Sequence, residues 1–352
     1  MRILALLAVT ALVAACAAES GEEDLGADDQ ALTARAVDGP RAMAPEGRVL
    51  AASVDALLGE KLDAGARVLA IRTLTLDGKK ARLVVDADSL VSSVVEEGAL
   101  AAGSRAPTAA DRLDEAPYPK SLASLRSSLD ALDSIAPGAK TPAGATEPFA
   151  LTVDMCQSKK AFEKRLFDWA ESLSDQLGKP VPVGIAMSGG WAKAHGSEFD
   201  QILGYERRGK IAITWINHSS SHPLHCLNAS CSDAQFLTAP GVDFGEEVLG
   251  LERALLARGQ VPSPIFRFPG LVHDDTRMKQ LAGYSLMAID GDAWIAKGQP
   301  IKPRAVVLVH GNGNEPEGIT GFLKQAGNRS RDLASGKSAL VDPLLIAPSP
   351  AR

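Results

Sequence analysis

From residue 149 onward the chain repeats one pattern, a short and almost continuously apolar run followed by a longer stretch with helical spacing. The apolar runs lie at 149–155, 181–187, 210–216, 265–268, 284–289 and 305–309, and each reads as a strand buried on both faces. Between the first two, 159–177 places Phe162, Leu166, Trp169 and Leu173 on one helical face and stops at Gly178 and Pro180. A polar helix follows through Ile202 and Leu203, and further helices are predicted over 246–256, 274–281 and 317–325. Doubly buried strands separated by helices predict a mainly parallel α/β sheet, open or closed into a barrel.

Residues 47–135 follow a different pattern. A short Ala/Leu-rich helix is predicted over 51–62, and a hairpin over 67–76 and 81–85 about Asp77-Gly78. A one-faced helix is predicted over 121–135 through Leu122, Leu125, Leu129 and Leu132. This small α+β accessory region holds no histidine and is joined to the larger domain by the Pro/Gly/Thr-rich linker 136–148.

Most of the larger domain's apolar runs end in a polar island: LTVDMC at 151–156, INHSSSHP at 216–223, FRFPG at 266–270, IDGDAW at 289–294 and LVHG at 308–311. In parallel α/β folds the chemistry collects at the C-terminal ends of strands, so these islands describe one polar rim. His218 and His222 are spaced i, i+4; a short turn capped by Asn217 would present both rings on one face, able to hold a single ion. Zinc needs a third protein ligand and an open position, and Asp154 at a neighbouring strand end is the candidate. His225 lies beyond Pro223 and reads as outer-layer or exposed. Arg267 between Phe266 and Phe268 demands a buried partner. Trp294 reads either as a sugar-stacking face or as a buried plug. Gly311-Asn-Gly-Asn314 lacks nucleotide-loop spacing and reads as a mobile rim beside His310, so no nucleotide is expected.

The first residues read as an export signal, with Arg2 ahead of an apolar stretch ending Val13-Ala-Ala-Cys16. That ending resembles a bacterial lipobox, which implies acylation of Cys16 after a 1–16 signal, a tether over 17–46 and an extracytoplasmic, lipid-anchored protein, or a secreted one without the lipid. With 37 basic against 43 acidic residues and no long basic tract, nucleic acid is not expected as a partner. In an oxidising compartment Cys226 and Cys231 can close a small loop, leaving Cys156 as a thiol that reads as structural, metal-binding or redox-active.

Leu151-Thr-Val-Asp-Met155, His218-Ser-Ser-Ser-His222-Pro, Arg267-Phe-Pro-Gly270, Asp290-Gly-Asp292-Ala-Trp294 and Val307-Leu-Val-His310, in that order, resemble the five motifs of the polysaccharide deacetylase family (NodB-homology, carbohydrate esterase family 4). The resemblance covers a little over half of the chain. It implies a distorted (β/α) barrel over 149–335 with 336–352 as a tail, a divalent ion, commonly zinc, on Asp-His-His, and removal of N- or O-linked acetyl groups from an envelope or extracellular polysaccharide or peptidoglycan. It makes Arg267 the residue that orients the base, His310 the general acid, and Asp290 or Asp292 the carboxylate pairing with His310. The departure is Met155, which stands where the family carries the metal-binding second aspartate, and a thioether cannot replace a carboxylate there. Three arrangements follow: Asp154 has moved onto the metal; Asp154 stays the base, with the metal on two histidines plus water or Cys156; or catalysis is lost, leaving a glycan-binding or structural envelope protein.

Overall fold

The computed structural model describes residues 51–56, 61–63, 67–97, 116–127, 147–231 and 233–346. The expected signal, tether and lipidated Cys16, most of the linker, and Leu129 and Leu132 lie outside these residues. Among the described residues no helix is long and apolar enough to cross a membrane.

The N-terminal part is an antiparallel sheet of β1 (Ala51–Ala56), β2 (Lys61–Asp63), β3 (Arg67–Leu76), β4 (Lys79–Asp86) and β5 (Ser92–Glu96), in the order β1-β3-β4-β5 with β2 also on β3. The β3–β4 hairpin turns at Asp77 (φ 47°) and Gly78 (φ 76°), the two positive-φ positions that an Asp-Gly turn supplies at least cost. The helix expected over 51–62 is instead β1 and β2. Ala and Leu favour a helix by only tenths of a kcal/mol per residue, roughly, and pairing with the ten-residue β3 outweighs that. Helix α1 (Pro117–Ser127) starts earlier than predicted, on a proline suited to a first helical turn, and buries Tyr118, Leu122 and Leu125.

The larger part alternates as predicted: β6 (Glu147–Met155), α2 (Lys164–Leu177), β7 (Val181–Met187), α3 (Gly189–Ala194), α4 (Gly196–Arg207) and β8 (Ile211–Asn217). A small hairpin, β9 (His225–Cys226) with β10 (Ala234–Gln235), precedes α5 (Phe244–Leu256), β11 (Pro262–Phe266), α6 (Asp275–Gly283), β12 (Met287–Ala288) and β13 (Ala293–Trp294). Strand β14 (Val306–His310), helices α7 (Pro316–Asn328) and α8 (Ser330–Ser335), β15 (Ser338–Leu340) and α9 (Pro343–Ile346) close the chain. The strand order is β12-β11-β8-β7-β6-β14-β13 with every pairing parallel, and β15 joins the start of β6. The end strands do not pair with each other among the described residues, so the sheet is an open, distorted (β/α) barrel. Residues 338–346, expected as part of a tail, are packed on this sheet.

Strand β6 shows how the barrel sorts its side chains. Phe149, Leu151, Val153 and Met155 pack outward with Leu166, Phe167, Ala170 and Leu173 of α2, while Ala150, Thr152 and Asp154 take the opposite face. The apolar core also crosses between the two parts: Ile71, Leu74, Leu83 and Val85 of the N-terminal sheet share one cluster with Phe244, Val248, Met278 and Leu286. At that junction Arg72, fully buried, makes a bidentate pair with Glu252 of α5 (Nε–Oε2 2.6 Å, Nη2–Oε1 2.7 Å). A register shift between Ala70 and Arg72 in the β3–β4 ladder is what turns Arg72 inward.

Candidate metal and acid–base site

The final rungs of the parallel ladder carry the chain into the site. His218 N–H donates to Met187 O (3.0 Å), Arg267 N–H to Asn217 O (2.8 Å), Ile289 N–H to Phe266 O (2.9 Å) and Gly311 N–H to Asp154 O (3.0 Å). Asp154 and His310 are direct cross-strand partners. The polar islands therefore meet at one rim, as the positions of strand ends predict.

The His218–His222 segment is not a helical turn. Ser219 (φ 69°) and His222 (φ 49°) lie in the left-handed region, and the loop is held by side chains: Asn217 Oδ1 accepts from Ser219 N–H (3.0 Å) and Ser219 Oγ accepts from His222 N–H (3.0 Å). Helix α5 buttresses it from behind. Glu247 accepts Ser220 N–H on its carbonyl (2.8 Å) and Ser221 N–H and Oγ–H on its carboxylate (2.8 and 2.5 Å), and Val248 O accepts from Asn217 Nδ2 (2.9 Å). A Cβ on Gly250 would stand 2.6 Å from Ser220 Oγ, so glycine there leaves room for the side chains between helix and loop. The two imidazoles still meet, with centroids 4.9 Å apart, because the loop folds back on itself.

Cys156, His218 and His222, all buried, form a candidate metal-coordinating cluster whose donor atoms lie within 4.8 Å of one another. His218 Nδ1 donates to Arg267 O at 2.8 Å, which fixes the tautomer and leaves the Nε2 lone pair facing Cys156 Sγ at 3.5 Å. Among the described residues, His222 Nε2 is buried without a hydrogen-bond partner, a costly state that a ligand at this position would relieve. Imidazole and thiolate donors with one nitrogen orphaned fit a divalent transition metal. Asp154, expected as the third ligand, lies beside this cluster, its Oδ2 3.9 Å from His218 Nε2. Met155 is fully buried in the outer apolar layer, facing away from the cluster.

Asp154 Oδ1 accepts from Arg267 Nη1 at 2.6 Å, and this guanidinium, fully buried, also donates to Thr152 Oγ1 (2.8 Å) and to the carbonyls of Asp290 (3.1 Å) and Ile289 (3.4 Å). The buried partner that Arg267 demands is therefore Asp154. Asp290 meets Arg267 through its main chain, and Asp292 spends Oδ2 on Val306 N–H (2.9 Å). The carboxylate that meets His310 Nδ1, at 2.7 Å, is Glu315, which also accepts from Trp294 Nε1 at 2.8 Å. Glu315 went unnoticed in the sequence; its one signal is its place just beyond the Gly/Asn rim that follows His310. Trp294 is buried, the plug rather than an open stacking face. Cys226 and Cys231 form the expected disulfide (Cα–Cα 4.7 Å), and His225 on the adjoining hairpin is exposed.

No family model matches the chain. Among solved structures it is similar to Bacillus subtilis PdaA, a family 4 carbohydrate esterase (14% identity, 63% of this chain and 86% of that one, TM-score 0.44). It is similar also to the Bc1960 peptidoglycan N-acetylglucosamine deacetylase (16%, 60% and 93%, TM-score 0.42) and to BA3943, a family 4 pseudoenzyme from Bacillus anthracis (15%, 57% and 66%, TM-score 0.35).

Proposed function

We propose that this protein is a metal-dependent hydrolase that removes N- or O-linked acetyl groups from an envelope or extracellular polysaccharide such as peptidoglycan. The observation that carries the reading is the convergence, at one rim, of a Cys/His/His cluster, a buried Asp154–Arg267 pair and a His310–Glu315 pair. Cys156, His218 and His222 would hold the ion, zinc by donor type. When bound, the ion supplies Lewis-acid polarisation of the acetyl carbonyl and charge to offset the developing oxyanion. Asp154 takes a proton from the attacking water; Arg267, donating to one of its oxygens, holds the carboxylate in place. His310, its Nδ1–H held by Glu315, presents Nε2 to the departing amine or alkoxide and protonates it. Zinc-loaded protein is expected to release acetate from chitin oligomers, peptidoglycan or acetylated xylan, and to stop after chelation. Absence of release from all three would reject the reading.

One observation favours the non-catalytic alternative. Met155 is turned into the apolar layer, so the carboxylate that the resembling family places on the metal is missing. Tight glycan binding by the metal-loaded protein without acetate release would establish that alternative.

Glu315→Gln separates positioning from packing. It keeps shape and removes the charge opposite His310, so kcat is expected to fall roughly 10–100-fold with little change in KM, the usual cost of losing a partner behind a functional imidazole. The low-field Nδ1–H resonance of His310 should vanish from the proton NMR spectrum. An unchanged resonance would show that Glu315 does not hold the ring.

We also propose that Cys16 tethers the protein to a membrane, a reading supported by the lipobox resemblance. Wild type should sediment with membranes and carry lipid mass on its N-terminal peptide, whereas Cys16→Ser should be released. A wild type free of lipid mass would refute the anchor.

A further inference from the structure

Resting on the metal site proposed above, we infer that Cys156 is its anionic ligand and that the resulting Cys-His-His set takes a borderline-soft divalent ion, zinc or cobalt, in preference to the hard ions magnesium and manganese. Three observations converge. First, strand alternation on β6 puts residue 155 in the outer apolar layer, and Cys156 follows beyond the strand end, buried and outside any disulfide. Second, Cys156 Sγ lies 3.5 Å from His218 Nε2. Metal–sulfur and metal–nitrogen bonds of about 2.3 and 2.05 Å meeting at a tetrahedral angle put the two donors about 3.6 Å apart. Third, His222, only 5% exposed, belongs to the same cluster, and among the described residues its Nε2 has no partner.

A thiol donating a weak hydrogen bond to His218 accounts for the 3.5 Å distance alone, but it leaves His222 Nε2 orphaned. An ion between the three atoms satisfies all of them. With Cys156 on the ion, Asp154 is not required as a ligand: Arg267 donates to one of its oxygens, and the other lies 3.9 Å from His218 Nε2. A coordinated thiol is deprotonated, so Cys156 restores the negative charge that the ligand set lacks with Met155. Thiolate and imidazole favour zinc or cobalt, whereas magnesium and manganese prefer oxygen donors.

The test reads coordination, not turnover. Full-length wild type titrated with cobalt(II) should develop thiolate-to-cobalt charge-transfer absorption in the near ultraviolet, saturating at one equivalent and absent from Cys156→Ser. Cys156→Asp should bind cobalt without that band and lose at least tenfold in zinc-over-manganese preference. X-ray absorption of the zinc-loaded wild type needs no variant, and one sulfur at about 2.3 Å beside nitrogen at about 2.0–2.1 Å is expected. A shell of nitrogen and oxygen alone, or a band that persists in Cys156→Ser, overturns the inference. A sulfur-containing shell in a protein that releases no acetate upholds the ligand set and rejects only the proposed hydrolase activity.

Discussion

Asp154→Asn is expected to lower acetate release by about 10²–10⁴-fold while the protein still binds one equivalent of metal. Asparagine keeps an oxygen for Arg267 to donate to, at a contact that is 2.6 Å in the wild type, but it can no longer accept a proton from water. The pairing of outcomes is what decides the role. A base lost from beside the metal removes turnover and leaves stoichiometry; a ligand lost from the metal removes both. The substitution also leaves Arg267, fully buried, without an opposing charge, so a lower melting temperature is expected and rates belong well below it. Activity within threefold of wild type would rule Asp154 out as the base, and loss of metal in parallel with activity would return it to the ligand set.

Arg72→Ala is expected to destabilise the protein by about 3–5 kcal/mol, the cost of breaking a buried pair and stranding one charge. Arg72 and Glu252 are 0% and 1% exposed, and Arg72 Nη1 donates further to Ile71 O (2.6 Å) and Tyr284 O (2.8 Å). Removing both charges together, as Arg72→Met with Glu252→Leu, should recover much of that loss, because no isolated carboxylate then remains in the core. The pair also bears on the site. Glu252 lies on the same helix α5 whose Glu247 and Val248 hold the His218–His222 loop. Denaturant unfolding of the wild type and the two variants checks the ordering, and a loss under about 1 kcal/mol in Arg72→Ala would mean that this junction is screened by solvent after all.

The main architecture was legible because it depends on local period. Doubly apolar runs at 149–155, 181–187 and 305–309, separated by helical stretches, read as strands inside an α/β sheet, and the strands β6, β7 and β14 lie within two residues of those bounds. The rim was legible for the same reason: polar residues that terminate parallel strands share one end of the sheet, which brought Asp154, His218, Arg267 and His310 together before any contact was known. Local signals misled where they were weak. The Ala/Leu composition of 51–62 favours a helix only slightly, and strand pairing with β3 overrode it. The His218–His222 spacing suggested a helical turn, yet Asn217 and Ser219 side chains capture the backbone N–H groups first.

By itself, then, the sequence determined which residues end strands, the strand–helix alternation and the spacing that lets Cys226 bond Cys231. These follow from side-chain periodicity and short-range geometry. Only the tertiary structure decided which partner each charged group meets. Glu315 rather than Asp292 reaches His310, because the rim loop after β14 folds back while Asp292 is held by Val306 N–H. Cys156 rather than Met155 joins the histidines, because the pleat sends residue 155 outward and the chain turns into the site one residue later. Arg72 enters the core, because an irregularity in the ladder turns it inward toward Glu252, 180 residues further along the chain. Pairings across such separations are set by how the sheet curls and where its strands stop, and no local pattern of hydrophobic and polar residues encodes that closure.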